Sequence, residues 1–296
     1  MSITTIDAPG LTVFRRGKVR DTFDLGDGTL LMVATDRISA FDVVLPTPIP
    51  EKGRVLTQMS RWWFDKTAHI VPNHLLPDDP DSLPPGVDWE LLGPRSMRVT
   101  KAERIDIECV VRDYLAGSGW KEYRESGTLA GVELPSGLQE SSRLPQPQFT
   151  PAIKNDDGHD ENISTAKLAE IVGHDLASRL ELVSLDLFEY ASEHCRSQGM
   201  ILVDTKFEFG LHDGNLILID EIFTPDSSRY WEQSEWAEGR SMPSFDKQPV
   251  RDWLETQTWD KTPPAPMLPQ DVIDGTRDRY IEAARRVCGL NLRAAQ

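Results

Sequence analysis

The clearest pattern in the chain is a run of alternating apolar and polar residues at 201–210, followed by a second apolar run at 215–221. An alternation with a period of two predicts a β-strand whose successive side chains point to opposite faces. One face then carries apolar and small residues, and the other carries charged residues. These are Val203, Thr205, Phe207 and Phe209 on the first face, and Asp204, Lys206 and Glu208 on the second.

The two runs are separated by a turn signal, which predicts a hairpin. If residues 212–214 form a three-residue loop whose glycine is left-handed, Lys206 lies opposite Asp220 and Glu208 lies opposite Leu218. Three carboxylates then surround one lysine. Because like charges that face each other across a hairpin repel, this crowding predicts a bound cation, either Lys206 itself or a hard metal such as magnesium. A solvated hairpin face is the alternative.

The first hundred residues predict a sheet with one packed helix. Short apolar or alternating runs bounded by turn signals predict strands at 11–14, 19–25, 30–34 and 96–101. Apolar residues that recur at helical spacing predict a helix from Val55 to about Ile70.

The rest of the chain predicts both strands and helices. A buried strand is expected at 107–112, and we place a domain boundary just before it, near Asp106. This divides the chain into a β-rich unit at 1–106 and an α+β unit at 107–296 that carries the carboxy-terminal helix. The Pro-rich stretch at 134–151 predicts a long loop without regular structure. Helices are expected from a cap at Ser164 to Gly173, from about Asp175 to Gly199, and from about Gln270 to Cys288.

Composition and charge narrow the possible functions. With 296 residues, of which 39% are hydrophobic and 27% charged, the chain has the make-up of a globular protein with a sizeable core. A formal net charge of -16 argues against a nucleic-acid or anionic-membrane partner. Any anionic ligand must therefore be held by a local group of Lys and Arg residues.

The cysteines and the amino terminus bear on the cellular compartment. Cys109, Cys195 and Cys288 form no metal-binding spacing, so buried thiols of a cytoplasmic protein are expected. The amino terminus lacks the pattern of a secretory signal, and no apolar run approaches the roughly 20 residues of a membrane helix. We therefore expect a cytoplasmic protein.

Two polar segments near the start of the chain carry candidate chemistry. Gly17 combines a flexible backbone with two cations, Lys18 and Arg20, at alternate positions of an extended segment, so both point from one face. That arrangement suits phosphate, although the segment lacks the spacing of a P-loop and could be an exposed basic strand. The polar turn from Thr35 to Asp42 offers many donors and acceptors, which ordinary turn chemistry also explains.

Three later segments also carry candidate chemistry. Arg112 leaves a buried strand and meets a Gly-Ser-Gly turn around Ser118 whose amides could bind an anion, with a structural pairing of Arg112 to Asp113 as the alternative. The stretch 154–162 concentrates charge and contains Lys154, but a solvated loop is the usual meaning of such a run, and its His–Glu spacing is not typical of zinc.

The third of these segments follows the second strand of the hairpin directly. Its Pro-Asp-Ser turn presents Asp226, Ser228 and Arg229 beside the acidic face. This suits a phosphorylated substrate next to a metal. Turn chemistry is the alternative, and it leaves Arg229 without a role.

Taken in order, these segments resemble those of the phosphoribosylaminoimidazole-succinocarboxamide synthases, the SAICAR synthetase family of purine biosynthesis. The motifs are GKVRD, ATDRISAFD, ECVVRDYLAGSGWKEY, KNDDGHDENIS, VDTKFEFG and IDEIFTPDSSRYW, and they extend from residue 17 to residue 231. The sequence is also similar to the longer form of the family, which has a Pro-rich excursion like that around 145–151.

The resemblance implies a ligase that joins L-aspartate to the carboxylate of carboxyaminoimidazole ribonucleotide, with ATP and Mg2+. ATP first phosphorylates the carboxylate, and the aspartate amine then displaces phosphate. Both steps build negative charge on the transferring oxygens, which magnesium and Lys or Arg clamps offset. The reaction that the resemblance implies requires no nucleophilic side chain.

The resemblance also implies a fold: an α+β protein with an amino-terminal antiparallel sheet domain and a larger α+β domain. ATP occupies the cleft between them, in a layout related to ATP-grasp ligases and kinases. Longer members of the family tend to be monomers, so a monomer acting on small molecules is expected.

Carried over motif by motif, the resemblance assigns Lys18 and Arg20 to the ATP phosphates, and Glu208 and Asp220 to magnesium. Many relatives have lysine at the position of Arg20, which preserves the charge but changes the contact geometry. The residues expected around the ribonucleotide, with Asp204, Lys206 and Arg229 closest to the chemistry, are Arg112, Ser118, Lys154, His159, Asp160, Asp204, Lys206, Asp226, Ser228 and Arg229. Further candidates, expected to contact the substrate carboxylates, are Asp36, Ser39 and Asp42.

Two other functions use similar residues. A small-molecule or protein kinase shares the magnesium carboxylates and the lysine, but it predicts a catalytic HRD-type loop, which this sequence lacks. A non-catalytic nucleotide-binding module predicts ATP binding without turnover.

Overall fold

The computed structural model describes residues 2–154 and 161–292, and in these ranges the chain is a mixture of antiparallel strands and helices. The strands are β1 (Thr12–Arg16), β2 (Arg20–Asp24), β3 (Thr29–Ala34), β4 (Ser39–Ala40), β5 (Val43–Val44), β6 (Ser96–Thr100), β7 (Glu103–Tyr114), β8 (Thr128–Leu129), β9 (Val132–Glu133), β10 (Arg143–Phe149), β11 (Ala152–Ile153), β12 (Glu161–Asn162), β13 (Met200–His212), β14 (Asn215–Ile219) and β15 (Ser228–Glu232). The α-helices are α1 (Lys52–Thr67), α2 (Trp89–Leu92), α3 (Gly117–Ser126), α4 (Thr165–Val172), α5 (His174–Ser197), α6 (Gln248–Glu255) and α7 (Gln270–Cys288). The predicted α+β class is confirmed.

The amino-terminal part of the chain forms a four-stranded antiparallel sheet in the order β1-β2-β3-β6. All four strands correspond to predicted ones, and α1 packs against the sheet with Val55, Met59 and Trp63 fully buried. The helix begins at Lys52, three residues before its predicted start. A Cβ atom on Gly53 would lie 2.3 Å from the carbonyl oxygen of Ala34, so only glycine lets the first turn of α1 approach the end of β3 this closely.

The second sheet positions most of the charged residues. Its strand order is β12-β11-β7-β13-β14, with β10 also paired to β7 and β15 also paired to β13. Phe207 and Phe209 of β13 point into the main core, where they join Leu187 and Phe188 of α5. The alternation along β13 therefore directs its charged side chains to the face opposite α5.

The hairpin of β13 and β14 forms with a different register from the predicted one. Its loop has two residues, Asp213 and Gly214, with φ of 50° and 74°. Two left-handed residues form a tight hairpin turn whose twist matches the flanking strands. Glu208 consequently lies opposite Ile219 rather than Leu218, and Asp220 lies beyond the last paired residue. The predicted three-residue loop was wrong, because Asp213 also adopts the left-handed conformation.

The Pro-rich stretch is also more regular than predicted. Strand β10 occupies Arg143–Phe149, within a region expected to lack regular structure. Pro145 and Pro147 lie where the register between β10 and β7 shifts, between Arg143 and Gln148. Proline is tolerated at such an irregularity because no ladder hydrogen bond from its nitrogen is required there.

Several helix boundaries follow the prediction closely. Ser164 caps α4 by accepting a hydrogen bond from the Lys167 amide, and α7 has the predicted limits. The Gly-Ser-Gly segment, predicted as a turn, is instead the first turn of α3. Helix α6 was not predicted.

Three further findings concern the domain boundary, membrane-spanning helices and the cysteines. Asp106, near which we place the domain boundary, lies inside β7, and the division at 106/107 remains a proposal. In the described part of the chain no helix is long and apolar enough to cross a membrane. The three cysteines are buried and unpaired, as predicted.

Candidate active site

The charged face of β13 opens into a cavity of about 410 Å³, which also contacts the segment from β1 to β2 and the turn after β14. The lining is strongly charged, with both signs intermixed. Its bases are Arg15, Arg16, Lys18, Arg20, Lys154, Lys206 and Lys247, and its acids are Asp42, Glu108, Glu208, Asp220, Glu221 and Asp226.

Two buried glutamates face each other across β7 and β13 in this cavity. Glu208 pairs in register with Glu108, and each is 7% exposed. Two lysines offset their repulsion: Lys206 Nζ lies 2.5 Å from a Glu108 oxygen and 3.8 Å from a Glu208 oxygen, and Lys154 forms an ion pair with Glu208. Burial alone would lower the pKa of Lys206, but the charges of Glu208 and Glu108 outweigh it and raise that pKa. Lys206 is therefore a permanent cation at neutral pH.

Arg20 connects the amino-terminal sheet to the end of β14. Its guanidinium forms ion pairs with Asp220 and with Glu221. Burial would raise the pKa of Asp220, but Arg20 and then Lys154 outweigh that effect and hold the pKa well below its usual range. For Glu221 burial dominates, and its pKa is raised. The backbone of Asp220 is left-handed, with φ of 67°, a conformation that fixes the direction of this carboxylate at some cost in strain.

Asp226 joins three parts of the chain. It accepts a hydrogen bond of 2.6 Å from Lys52 Nζ at the start of α1 and another of 2.6 Å from the Tyr280 hydroxyl on α7. Burial would raise the pKa of Asp226, but the charges of Lys52 and Lys247 outweigh it and lower that pKa. A fully buried lysine thus neutralises a carboxylate at the edge of the cavity.

A second charged group lies further along the same sheet face. Asp204 of β13 is flanked by Arg112 on β7 and Arg229 on β15. Arg112 Nη1 lies 3.3 Å from the Asp204 carboxylate and its Nη2 lies 3.3 Å from Ser118 Oγ, while Arg229 also pairs with Asp204. Two guanidinium groups share one carboxylate here, so the group keeps a net positive charge suited to a phosphate.

The surroundings of Arg229 are closely packed. Gly117 has φ of 53°, and a Cβ atom there would lie 2.5 Å from an Arg229 guanidinium nitrogen. Ser228 Oγ lies 2.8 Å from Thr205 Oγ1 and is buried. The negative charge of Asp204 raises the pKa of Arg229, whereas burial lowers the pKa of Arg112.

The remaining predicted site residues divide into three cases. Lys18 and Asp42 line the cavity, half exposed, with Lys18 Nζ 2.5 Å from an Asp42 oxygen, and Ser39 lines it as well. Asp36, by contrast, is fully buried, and its oxygens accept hydrogen bonds from Ile3 N at 2.8 Å, Gly53 N at 3.0 Å and Arg95 at 3.0 Å. His159 and Asp160 lie outside the described residues.

Asp36 was predicted as a candidate contact for a substrate carboxylate, and the structure contradicts that placement. Its carboxylate accepts hydrogen bonds from backbone amides and an arginine inside the protein, and it is not exposed to the cavity. A polar turn signals hydrogen bonding in the sequence, but it does not indicate whether the partner is a ligand or the fold itself.

Comparison with known proteins identifies the family. The SAICAR synthetase family model matches residues 13–266 of the chain. The chain belongs to the SAICAR synthetase family. It is 51% identical to the phosphoribosylaminoimidazole-succinocarboxamide synthase of Methylobacillus flagellatus over 282 residues, which cover 94% of this chain and 95% of that protein. It is 52% identical to the corresponding synthase of Syntrophotalea carbinolica, with 96% and 97% covered.

Solved structures of the SAICAR synthetase family have the same fold. SAICAR synthase from Saccharomyces cerevisiae, solved in complex with SAICAR, matches with a TM-score of 0.90 and 42% identity, and the match covers 99% of this chain and all of that one. A type-2 SAICAR synthetase in complex with ADP matches with a TM-score of 0.70 and 26% identity, covering 95% of this chain and 99% of that one.

The site contains residues that the sequence prediction missed. Glu108 carries the clearest signal, because a glutamate within the apolar strand run at 107–112 must have a buried partner. Lys52, Glu221 and Tyr280 acquire their roles only through contacts with distant parts of the chain. Lys247 precedes a helix that was itself not predicted.

The arrangement of acidic side chains tests whether the predicted ligands, Glu208 and Asp220, could hold magnesium. In the ranges 2–154 and 161–292, no group of three or more acidic, histidine or cysteine side chains could hold a metal ion by itself. Magnesium commonly binds through one or two carboxylates and completes its coordination with water and phosphate oxygens. Glu208 and Asp220 line one cavity and fit an ion that arrives with a nucleotide. They do not form a closed protein cage.

Proposed function

We propose that this protein catalyses the ATP-dependent condensation of L-aspartate with carboxyaminoimidazole ribonucleotide, giving SAICAR, ADP and phosphate, in purine biosynthesis. Membership of the SAICAR synthetase family over nearly the whole chain carries this conclusion. The charged cavity supports it, because a reaction of anions with anions needs a dense set of fixed cations.

The reaction has two steps. In the first, an oxygen of the ribonucleotide carboxylate attacks the γ-phosphorus of ATP, and the bond to ADP breaks, giving an acyl phosphate. In the second, the aspartate amine attacks the acyl carbon, loses a proton and displaces phosphate. Each step adds charge to oxygens that transfer or leave. Lys206 and Lys154 are held in place by the glutamates at the base of the cavity and offset that charge as fixed cations.

Magnesium, when bound with the nucleotide, supplies charge neutralisation at the phosphates. Glu208 and Asp220 would hold it. Both carboxylates are paired to cations in this structure, Glu208 to Lys154 and Asp220 to Arg20. Those two cations thus hold the carboxylates in position inside the cavity.

The two charged groups suggest a division of the site. We assign Lys18 and Arg20 to the ATP phosphates, since both line the cavity beside Asp220. The group around Asp204, with Arg112, Ser118, Ser228 and Arg229, takes the phosphate and ribose of the ribonucleotide. Asp226 and Lys206 line the cavity, and Lys206 follows Asp204 by two residues on β13.

The proposal extends to three broader features. It divides the chain into a nucleotide-binding unit at 1–106 and a substrate-binding unit at 107–296, with ATP between them. It places the enzyme in the cytoplasm, in keeping with its three unpaired buried cysteines. It also describes the enzyme as a monomer, which sedimentation at several protein concentrations would test.

One coupled assay tests the function. ADP release is measured with all three substrates and then with each omitted in turn. Release that requires aspartate, ATP and the ribonucleotide together is the expected result. Phosphorylated product without any requirement for aspartate would indicate a kinase instead, and ATP binding without turnover would indicate a binding module.

A further inference from the structure

Lys247 differs from the other lysines of the cavity. Lys18 is paired with Asp42, and Lys154 and Lys206 are paired with the two glutamates. Lys247 lines the same cavity, but no carboxylate among residues 2–154 and 161–292 lies within 4.0 Å of its ammonium group. It therefore has donors available for a ligand.

The position of Lys247 connects the two charged groups of the site. It precedes α6 as the residue before the first helical turn. Its neighbour Asp246 lies 3.1 Å from Arg251 and 4.0 Å from Arg229, which itself pairs with Asp204. The segment is thus anchored beside the Asp204 group while the lysine side chain reaches the cavity.

The acid that influences Lys247 most does not form an ion pair with it. Asp226 is close enough to influence it, but Asp226 already accepts hydrogen bonds from Lys52 and Tyr280. Lys247 is partly buried, and burial lowers the pKa of its ammonium group. A poorly solvated and unpaired cation gains the most from an incoming anion.

The proposed reaction brings a dicarboxylic amino acid into a cavity that already contains six carboxylates. Repulsion would exclude such a substrate unless a cation with free donors received it. The guanidinium of Arg20 and the ammonium groups of Lys154 and Lys206 are already paired with protein carboxylates, and the proposed function assigns them to the ATP phosphates and to the transferring oxygens. Lys247 meets the requirement at the place where the nucleotide cavity and the Asp204 group adjoin.

We propose that Lys247 binds one of the two carboxylates of the amino-acid substrate and so directs its amine toward the activated carboxyl group. This inference rests on the proposed function. It assigns Lys247 to selection of the amino acid and leaves the nucleotide and the ribonucleotide to other residues.

The test uses Lys247→Met, which keeps an apolar stem and removes the charge, with Lys247→Gln as a second neutral variant. Loss of a hydrogen bond to a charged group is expected to raise KM for aspartate by about 10- to 100-fold, while KM for ATP and for the ribonucleotide stay within about twofold. Lys247→Arg should recover much of the loss. Lys167→Met, on an exposed lysine of α4 paired with Glu170, is the matched control and should leave all three constants unchanged.

Substrate analogues identify the carboxylate concerned. L-asparagine lacks the side-chain carboxylate, and the α-amide of aspartate lacks the other. The wild-type enzyme should prefer aspartate over both, and Lys247→Met should lose its preference over one of them.

Two results would overturn the inference while leaving the proposed function intact. One is a rise in KM that falls on ATP or on the ribonucleotide. The other is a preference for aspartate over both analogues that survives in Lys247→Met and Lys247→Gln. If the wild-type enzyme itself fails to turn over with all three substrates, the proposed function fails, and this inference fails with it.

Discussion

Glu108 and Glu208 lie directly opposite each other on two adjacent central strands, with Lys206 and Lys154 bound to them. Like charges in register across a sheet destabilise it unless cations intervene. The pair therefore binds both lysines and holds them in the cavity. In the proposed reaction, Glu108 acts through Lys206 as a positioning residue.

Glu108→Gln tests this relationship. Lys206 would lose its nearest carboxylate, so we expect kcat to fall by about 10- to 100-fold with a smaller change in KM for the substrates. Because Glu108 is one of the charges that raise the pKa of Lys206, loss of activity at alkaline pH should begin at a lower pH in the variant. Glu103→Gln, at the exposed start of the same strand, is the control. A kcat close to that of wild type would contradict the role given to Glu108.

Asp220→Asn should reduce turnover by about 100-fold or more, because it removes a predicted magnesium ligand and one of the two carboxylates that hold Arg20. The measurement is kcat as a function of magnesium concentration. Asp213→Asn makes the same chemical change at the exposed tip of the same hairpin, where asparagine also adopts the left-handed conformation. Near-normal rates for Asp220→Asn at low magnesium would show that Asp220 has another role.

Asp36→Asn separates a structural role from a substrate role. The buried carboxylate serves two backbone amides and Arg95, so the variant leaves a buried cation unpaired, and we expect a loss of about 3 to 5 kcal/mol in the free energy of unfolding. Urea denaturation measures it. Asp42→Asn removes a half-exposed ion pair with Lys18 and should cost less than about 1 kcal/mol. If the Asp36→Asn protein were as stable as wild type and had a raised KM for aspartate or the ribonucleotide, Asp36 would be a substrate contact, as the sequence predicted.

These cases show which parts of the site can be predicted from sequence. The shared face of Asp204, Lys206 and Glu208 follows from the period of a strand, and it is observed. The pairing of Glu208 with Glu108 does not follow, because the two residues are a hundred positions apart and no local rule sets which strands become neighbours. The register of the hairpin depended on one residue, Asp213, whose left-handed conformation is permitted but not required by its type.

His74 predicts a pH dependence of stability. It is fully buried, with Nε2 lacking a hydrogen-bond partner among the described residues, and burial lowers its pKa to about 4. Between about pH 6.5 and 4 the unfolded chain takes up a proton that the folded chain does not. The stabilisation is therefore complete above pH 6.5 and falls as the pH drops, by up to about 3 kcal/mol.

Urea denaturation at pH 7 and pH 5 tests this dependence. His74→Phe should show a smaller decrease between the two pH values than wild type. The control is His69→Phe, at an exposed histidine, which should behave as wild type. An equal decrease in His74→Phe and wild type would assign the pH dependence to other groups.

Gly117→Ala provides a test of the Asp204 group that changes no charge. Gly117 and Gly127 lie at the two ends of α3, and both have positive φ, so alanine at either position costs about 1 to 2 kcal/mol in backbone strain. Only at Gly117 would the added methyl group meet another side chain, since its Cβ would lie 2.5 Å from the Arg229 guanidinium, whereas nothing lies within 4 Å at Gly127.

The two alanine variants should therefore lose similar stability and differ in kinetics. Displacement of Arg229 in Gly117→Ala should raise KM for the ribonucleotide by about 10-fold or more, because a charge-assisted contact to its phosphate is lost. KM for ATP should stay close to that of wild type in both variants. Because Gly127→Ala has the same strain on the same helix, an equal rise in KM for the ribonucleotide in both variants would attribute the effect to α3 as a whole. Arg229 would then not be the phosphate contact.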